Sequence, residues 1–542
     1  MKFDQKLNNL VIKINIYEEV RDIEVNGIVY KYIFKLSDDK FSSINKNDLV
    51  KQIITEDNYK QKLYDLDSNF FLIIWSVDYL FCTVDHIGSY QLAYKFENNQ
   101  IIISNNLSSF NNSICEHSFN SILYSGYTLG NKTLYKNYKT LYPCEFLIYK
   151  NNVLKKNFFY NINFVYNPSL TKEFELEEII EKLFLKLKKR YSECNIVVPL
   201  SAGIDSRLIL SSLKYFGFQN VKLFTHYNQN KRDKNIAYKL SKYFDYPIEL
   251  IKLKFQDCKK IYRSNKFNEY QNYKLVFNSL NNHGDFISIE KLIKKKFINI
   301  ETDLIMNGQS GDFISGNHIP MFLFEKKNTN IENIMEKTLD YIIFKHFNLW
   351  SEEKFNKDQL SLRNMIKKKY FNSVKNIQEI IGNYEKFEFE NRQVKWVIGQ
   401  QKVYDFFKLS CYLPLWSITL VDFFSNKISV EQKKGQKLYK ELLIKKNYSG
   451  VWKSIPINPK ERFGIYLRLL RITLKCIFFF FGKKSWHKFE KKYLSYFMDS
   501  TYATSFYTYF HYIKTKKIPR NVIALMAKDF LKKKKNDNIF IC

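Results

Sequence analysis

Short apolar runs separated by polar turns fill the first third of the chain. Asn69–Val77 (NFFLIIWSV), Tyr79–Val84, Gln91–Phe96 and Gln100–Ser104 read as strands, with Glu97-Asn98-Asn99 as a turn between the last two. Two further strands are predicted around Glu145–Tyr149 and Val153–Tyr160. Over residues 174–190 the period becomes helical: Leu176, Ile179, Ile180, Leu183, Phe184 and Leu187 share a face, and the run ends on Lys188-Lys189-Arg190. Val197–Arg207 (VVPLSAGIDSR) is an apolar strand that breaks into small residues before a helix from Leu208 to Tyr215. A strand at Val221–His226, a helix over 233–244 and a strand at Ile248–Leu253 follow. This β-α-β-α-β alternation predicts a parallel, doubly wound sheet with ligand at the C-terminal ends of its strands. From about residue 330 the pattern is mainly helical, and there is no internal repeat. Ile465–Phe481 (IYLRLLRITLKCIFFFF) is strongly apolar, but Arg468, Arg471 and Lys475 interrupt it and it is short for a span. An amphipathic or buried helix is expected there rather than a transmembrane one.

Composition changes this picture only at the edges. A chain of 542 residues should hold two or more domains. The net charge of +32 suggests nucleic acid, yet only 11 of the 86 basic residues are arginine. Lys, Asn, Ile, Phe and Tyr are high together, as AT-rich coding produces, and bidentate readers of phosphates and bases are more often arginine. Solvated lysine faces and no nucleic-acid partner are therefore expected. The local exception is Lys532–Lys535, a run able to touch an acidic membrane surface or nucleic acid. Eight scattered cysteines form no CxxC pair, and the opening MKFDQKLNN lacks the apolar core of a signal peptide. Reduced cysteines in a cytoplasmic protein are the expectation.

The chemistry concentrates at Leu200–Arg207. A strand, a small-residue turn with hydroxyls at Ser201 and Ser206, and a helix N-terminus make a cradle for phosphate oxygens. Asp205 inside it would repel phosphate alone, so it suits a Mg²⁺ ligand between carboxylate and phosphates. An ordinary strand-to-helix turn has the same composition.

PLSAGIDSR resembles the pyrophosphatase loop (S-G-G-x-D-S) of the asparagine synthetase family. Leu223–Tyr227 resembles the family's next strand end, beside the adenine. Met306–Pro320 (MNGQSGDFISGNHIP) resembles its second signature, S-G-E-G-x-D-E-x-F-G-G, with Gly308, Asp312 and Gly316 matching. Tyr412–Phe424 and Gly435–Leu443 (GQKLYKELL) resemble its C-terminal stretches. In Asp67–Asn105 the matching residues are Asp85, Gly88, Leu92 and Tyr94, and Gly126–Tyr149 resembles the segment that follows. The likeness spans roughly residues 60–450 and in wording is nearest to synthetase-like proteins encoded with bacterial surface-polysaccharide genes.

That resemblance implies an α+β, Ntn-hydrolase-like domain of the class II glutamine amidotransferase kind over residues 1–165, degenerate in chemistry. An α/β pyrophosphatase-loop synthetase domain, like the adenine nucleotide α hydrolases, would follow over 170–450, with a basic, mostly helical extension over 451–542. It implies ATP and Mg²⁺ as cofactors. Nucleotide contacts would come from Leu200, Ser201, Ala202, Gly203, Ile204, Asp205, Ser206, Arg207, His226 (through its backbone), Asn307 and Gly308. Asp205 and Asp312 would hold metal, and Lys437 and Gln309 would be the catalytic pair, although Lys437 also reads as one solvated lysine among several. His318 is expected to be structural. The implied reaction is adenylation of a carboxylate with release of pyrophosphate, then attack by ammonia or an amine. A sugar acid of surface polysaccharide is one acceptor, and a homodimer and a peripheral membrane contact through the basic C-terminal region are admitted as partners.

Departures keep other readings open. Active family members begin Met-Cys, whereas Lys2 follows Met1 here, and an N-terminal thiol needs its own amine as base, so glutaminase activity is not expected. Gln309 stands where the family has Glu, and Ser410, Tyr412 and Ser417 stand for Glu, Arg and Asp. Gln orients by hydrogen bonds but takes no proton. A non-catalytic binding or assembly protein is the alternative, and transfer-RNA modification is a weaker third.

Overall fold

Asparagine closes three of the hairpins. In the computed structural model, Asn26-Gly27, Asn98-Asn99 and Asn151-Asn152 are two-residue turns with both φ positive (51 and 75°, 49 and 55°, 53 and 60°). That backbone matches the twist of paired strands, and Asn and Gly tolerate it best. The structure describes residues 2–7, 10–108, 113–166, 173–227, 231–281, 284–325, 330–351, 355–460, 465–498 and 506–539.

The turns build two facing sheets. One contains β1 (Lys2–Leu7), β2 (Leu10–Asn15), β7 (Ala93–Glu97), β8 (Gln100–Ser104) and β9 (Lys139–Thr140) in the order β1-β2-β8-β7-β9. The other is antiparallel throughout. It contains β3 (Arg21–Val25), β4 (Ile28–Leu36), β5 (Phe70–Trp75), β6 (Leu80–Val84), β10 (Glu145–Lys150) and β11 (Val153–Phe158), in the order β11-β10-β6-β5-β4-β3. β5 is buried on both faces, which is why FFLIIW carries no polar alternation. Its Phe71, Ile73 and Trp75 meet Ile12, Ile14, Ile101 and Ile103 between the sheets. Its Phe70, Leu72 and Ile74 share a second core with Leu49, Val50 and Ile53 of α1 (Lys46–Thr55) and Leu63 of α2 (Tyr59–Asp65). A third helix, α3 (Glu116–Ser125), ends on left-handed Gly126.

The parallel sheet follows α4 (Glu173–Arg190). It contains β12 (Asn195–Pro199), β13 (Val221–Tyr227), β14 (Ile248–Lys252) and β15 (Asp303–Met306). Its last strand, β17 (Ser410–Tyr412), gives the order β14-β13-β12-β15-β17. β15 and β17 are buried throughout but only 4 and 3 residues long, too short to carry a strand pattern. The sheet grows outward from β12 in both directions, so the loops after β12 and β15 part at a topological switch point. This brings residues 200–206 and 307–312 together although about a hundred positions separate them. The helix after β12, α5, spans Ile204–Tyr215 and so begins four positions before Leu208, where apolar spacing places its start. The next helix, α6, spans Arg232–Phe244.

Two short strands, β16 (Trp350–Ser351) and β18 (Ile518–Pro519), tie the C-terminal segment back to the parallel-sheet domain. The fold is the class expected: a two-sheet Ntn-like layer, a pyrophosphatase-loop-like α/β sheet, and a helical C-terminus. The two sheet systems are joined by backbone. Cys411 N–H donates to Ser37 O (3.0 Å), Leu134 N–H to Phe277 O (2.7 Å) and Thr128 N–H to Asn278 O (2.8 Å). Among the described residues no helix is long and apolar enough to cross a membrane.

Candidate nucleotide cleft

Gly203, extended at φ −78° and ψ −179°, caps α5 without a side-chain hydrogen bond to the first turn. The turn before it is closed on itself. Ser206 Oγ accepts from Ser201 N–H (3.1 Å), and Ser201 Oγ accepts from Gly203 N–H (3.2 Å). Ala202 N–H donates to Asp233 Oδ1 (2.9 Å), on the first turn of α6. The amides left for an anion are therefore those of Ile204, Asp205 and Ser206, at the positive end of the α5 dipole. Ala202 is occupied on both sides, since its carbonyl accepts from Asn458 N–H (3.0 Å).

Asp205 is the pivot. Its Oδ2 accepts from Asp312 N–H (2.9 Å) and its Oδ1 from the Tyr439 hydroxyl (3.3 Å). Two glycines permit that fit. A Cβ on Gly308 would come within 2.8 Å of the Asp205 backbone, and one on Gly311 within 2.5 Å of Asp205 Oδ1. Burial, reinforced by the Asp312 charge, pushes the Asp205 carboxyl up to about 8. Asp312 moves the other way: burial opposes its charge, but the hydrogen bond and charge of His318 prevail and lower it. His318 donates from Nε2 to Asp312 Oδ2 (3.0 Å) and pairs through Nδ1 with the buried Glu388. Burial works against its charge, yet Glu388 and Asp312 raise the ring to about 9. His318 thus supports Asp312 from behind, the structural part expected of it.

The cleft holds about 410 Å³ and is lined by four carboxylates, Asp205, Asp233, Asp285 and Asp312. Among the described residues no lysine or arginine lines it. A triphosphate placed there needs cations supplied with it. The carboxylates lining the cleft are hard oxygen donors of the kind Mg²⁺ takes, although among the described residues no cluster of three or more His, Cys, Asp or Glu could hold a metal alone. Magnesium is ordinarily held by one or two carboxylates with waters and phosphates completing its shell.

Leu200, Ser201, Gly203, Ile204, Asp205, Ser206, His226, Asn307, Gly308, Gln309 and Asp312 all line the cleft. The His226 ring lies with Nδ1 3.3 Å from Ser288 Oγ. Gln309 is held by two neighbours, donating to Gln400 Oε1 (3.0 Å) and accepting from Gln401 Nε2 (2.8 Å). Arg207 does not reach phosphate. It is fully buried and donates to the carbonyls of Ile455 (2.5 Å) and Pro456 (2.8 Å), because one helical step past Ser206 points inward. Lys437 is exposed and outside the lining; left-handed Gln436 turns its own side chain in instead, onto Ser315 Oγ (2.8 Å). Ser410 and Ser417 also lie off the cleft, with Ser417 Oγ 3.4 Å from Asp67 Oδ2. Asp233, Asp285 and Asn458 have no motif to mark them, although Asp233 opens the predicted helix over 233–244, and Tyr439 lies within Gly435–Leu443 but is not singled out there.

Arg207→Leu should cost about 3 kcal/mol in urea unfolding, because the buried Ile455 carbonyl and the Pro456 carbonyl lose a charged donor. A midpoint matching the parent would show that the guanidinium does not hold residues 455–458 over the loop.

No protein-family model matches the chain, and no curated protein matches it. Among solved structures it is similar to glutamine phosphoribosylpyrophosphate amidotransferase from B. subtilis, at 12% identity and TM-score 0.19 over 56% of this chain and 60% of that one. It is similar to NH3-dependent NAD synthetase from Campylobacter jejuni at 16% identity and TM-score 0.21, over 41% of this chain and 96% of that one. For glutamine-dependent NAD+ synthetase from Acinetobacter baumannii the values are 10%, 0.18, and 68% of both chains. The chain thus spans 60% of the amidotransferase's length. At such TM-scores the likenesses carry no argument, and the fold rests on strand order and direction.

Proposed function

We propose that the chain is an ATP-dependent amide-forming ligase. The observation that carries this is the meeting of an uncapped helix N-terminus with Asp205 and Asp312 at the switch point of a parallel sheet. In the reaction a substrate carboxylate oxygen attacks the α-phosphorus of ATP, and the bond to the bridging oxygen breaks with release of pyrophosphate. An amine then attacks the acyl carbon and loses a proton to water, and AMP leaves with the C–O bonding pair. The amides of Ile204–Ser206 would face the phosphates, with Asn307 and Gly308 in the lining beside them. Bound Mg²⁺ would supply charge neutralisation between the carboxylates and the phosphate oxygens. Gln309, fixed by Gln400 and Gln401, orients without taking a proton, so the amine must arrive unprotonated. A sugar acid is the acceptor class this reading favours.

The lining without lysine or arginine favours a second reading, a non-catalytic nucleotide-binding protein. Pyrophosphate release from ATP and Mg²⁺, across a panel of sugar acids and amino acids, decides between them: release with any acceptor supports the ligase. ATP-Mg²⁺ that raises Tm by mass action with no release from any acceptor supports the second reading, and no thermal response to ATP-Mg²⁺ overturns both.

Glutamine is not expected to supply the nitrogen. Cys82 and Cys144 are buried in the two-sheet layer, and burial pushes the Cys82 thiol up to about 12, leaving no thiolate there. Glutamate release from glutamine by the full chain should stay at the uncatalysed rate; measurable turnover would refute this.

A further inference from the structure

A second cavity, about 520 Å³, lies where β4, β5 and the Ser89–Gln91 loop meet residues 401–411. Asn69, Gln91, Asn105 and Gln401 line it, and none is more than 8% exposed. Asn69 Nδ2, Gln91 Oε1, both amide atoms of Asn105, and Gln401 Oε1 have no hydrogen-bond partner. Buried polar atoms are nearly always satisfied, and leaving one orphaned is costly. Four amides that line one hollow of ligand size and carry unsatisfied atoms suit a polar occupant.

The charges specify its sign. Five lysines line the cavity against four carboxylates. Lys274 pairs with Glu18 (2.5 Å) and Asp405 (2.6 Å), Lys40 with Glu301 (2.8 Å), and Asp39 with Lys46 (2.6 Å). Lys402 enters no ion pair among the described residues and reaches only Asn281 Oδ1, at 3.4 Å. Burial, with the Lys274 charge, lowers its amine to about 8, a cost that an anion beside it removes. The cavity also shares a wall with the nucleotide cleft, because Gln401 donates to Gln309.

We propose that this cavity binds a small carboxylate carrying hydroxyl or amino groups, its carboxylate on Lys402 and its other polar atoms on Asn69, Gln91 and Asn105. The site needs no ATP and stands apart from the ligase reading. Thermal unfolding of the full chain with D-glucuronate, L-glutamate or D-glucose tests it. One of the two carboxylates should raise Tm by roughly 5 °C near saturation, and glucose should not; which one responds separates a sugar acid from an amino acid. Lys402→Met and Asn105→Leu should abolish the rise while leaving ligand-free Tm at or above the parent's, since one removes an amine whose charge burial disfavours and the other a buried amide without partners. Asp205→Asn should keep the rise, so failure of the cleft and failure of the cavity look different. The proposal falls if neither carboxylate shifts Tm, if the shift survives both variants, or if Asn105→Leu lowers Tm and so marks the amide as structural.

The helix Ile465–Ile477 and the turn Phe478–Phe481 carry a second, independent inference. The helix has no buried side chain, and Tyr466, Phe479 and Phe480 are each at least 80% exposed. The segment is ordered by contacts on one edge. Arg471 pairs with Glu490 (2.6 Å), and Phe478 packs on Trp486 and Phe489 (ring centroids 5.7 and 4.7 Å). Ile465, Leu469 and Ile472 share one outward strip and Tyr466, Leu470 and Ile477 the next, all exposed. From Ile465 to Phe489 there is no acidic residue, against Arg468, Arg471, Lys475, Lys483, Lys484 and Lys488. An apolar, aromatic face rimmed by one sign of charge is complementary to anionic lipid, and we infer that it lies in the plane of such a membrane surface. Co-sedimentation of the full chain with phosphatidylcholine vesicles, with or without about 30 mol % phosphatidylglycerol, should show binding about tenfold tighter to the anionic vesicles and lost at high salt. Replacing Phe479, Phe480 and Phe481 with Ser should remove most binding without changing Tm. Equal binding to neutral vesicles, or a dimer in solution that the same triple variant dissociates, would overturn it.

Discussion

Asp205→Asn should abolish ATP-dependent pyrophosphate release while leaving the empty protein as stable as the parent, or more so. Two consequences of one geometry meet here. As a ligand the carboxylate is a hard anion facing the phosphates, and its loss removes the charge that holds Mg²⁺ against them, a drop of about 10³-fold or more. As a folded group it is unfavourable: burial and the Asp312 charge push it up to about 8, so its ionised form burdens the ligand-free state. The amide oxygen of Asn still accepts from Asp312 N–H, and Gly308 and Gly311 leave room for it. Asp312→Asn should lose release as well, but without the gain in stability, because its carboxylate is already matched by His318. Pyrophosphate release and Tm, with and without ATP-Mg²⁺, measure both effects. Retained release in either variant would remove the pair from the metal site; a large fall in ligand-free Tm for Asp205→Asn would mean that its charge is structural.

What the chain reveals in advance follows from how local each signal is. The turn at Glu97-Asn98-Asn99, the apolar strands and the helix over 174–190 depend on neighbours in sequence, and the structure has them within a few residues. β15 and β17 are too short for a period to show, so the width of the parallel sheet appears only in the fold. In the cleft, the residues before and within the first turn of α5 fall where the loop pattern suggests, since a strand-turn-helix fixes them locally. Arg207 and Lys437 illustrate the limit. Each is a cation near a phosphate-binding pattern. The distant carbonyls of Ile455 and Pro456 set which way Arg207 points, and for Lys437 it is the left-handed backbone of the adjacent Gly435 and Gln436, which no residue spacing reveals. The orphaned amides of the junction cavity are farther still from any pattern, because Asn69, Gln91, Asn105 and Gln401 converge only through tertiary packing.

Lys433→Met should destabilise the protein by about 3–5 kcal/mol, the loss typical of stripping one partner from a buried ion pair. Lys433 Nζ is fully buried and lies 2.7 Å from Glu385 Oε1 and 2.8 Å from the Tyr166 hydroxyl, which also donates to the same carboxylate. Burial lowers the Lys433 amine and raises the Glu385 carboxyl, so desolvation outweighs their attraction in both directions. Such a pair stabilises little in itself, yet either charge alone is worse. The double variant Lys433→Met, Glu385→Leu should therefore recover most of the loss, and a double-mutant cycle in urea reads the coupling directly. The effect should reach the cleft. Gly316 lies against Lys433, where an added Cβ would come within 2.6 Å of its carbonyl oxygen, so residues 433–436 are set against the loop that carries Asp312. Once that contact loosens, Gln436 loses its place in the lining, and the single variant should bind ATP-Mg²⁺ more weakly than the double. A single variant within about 1 kcal/mol of the parent would show that water reaches the pair, and the link from this buried bridge to the cleft would fail with it.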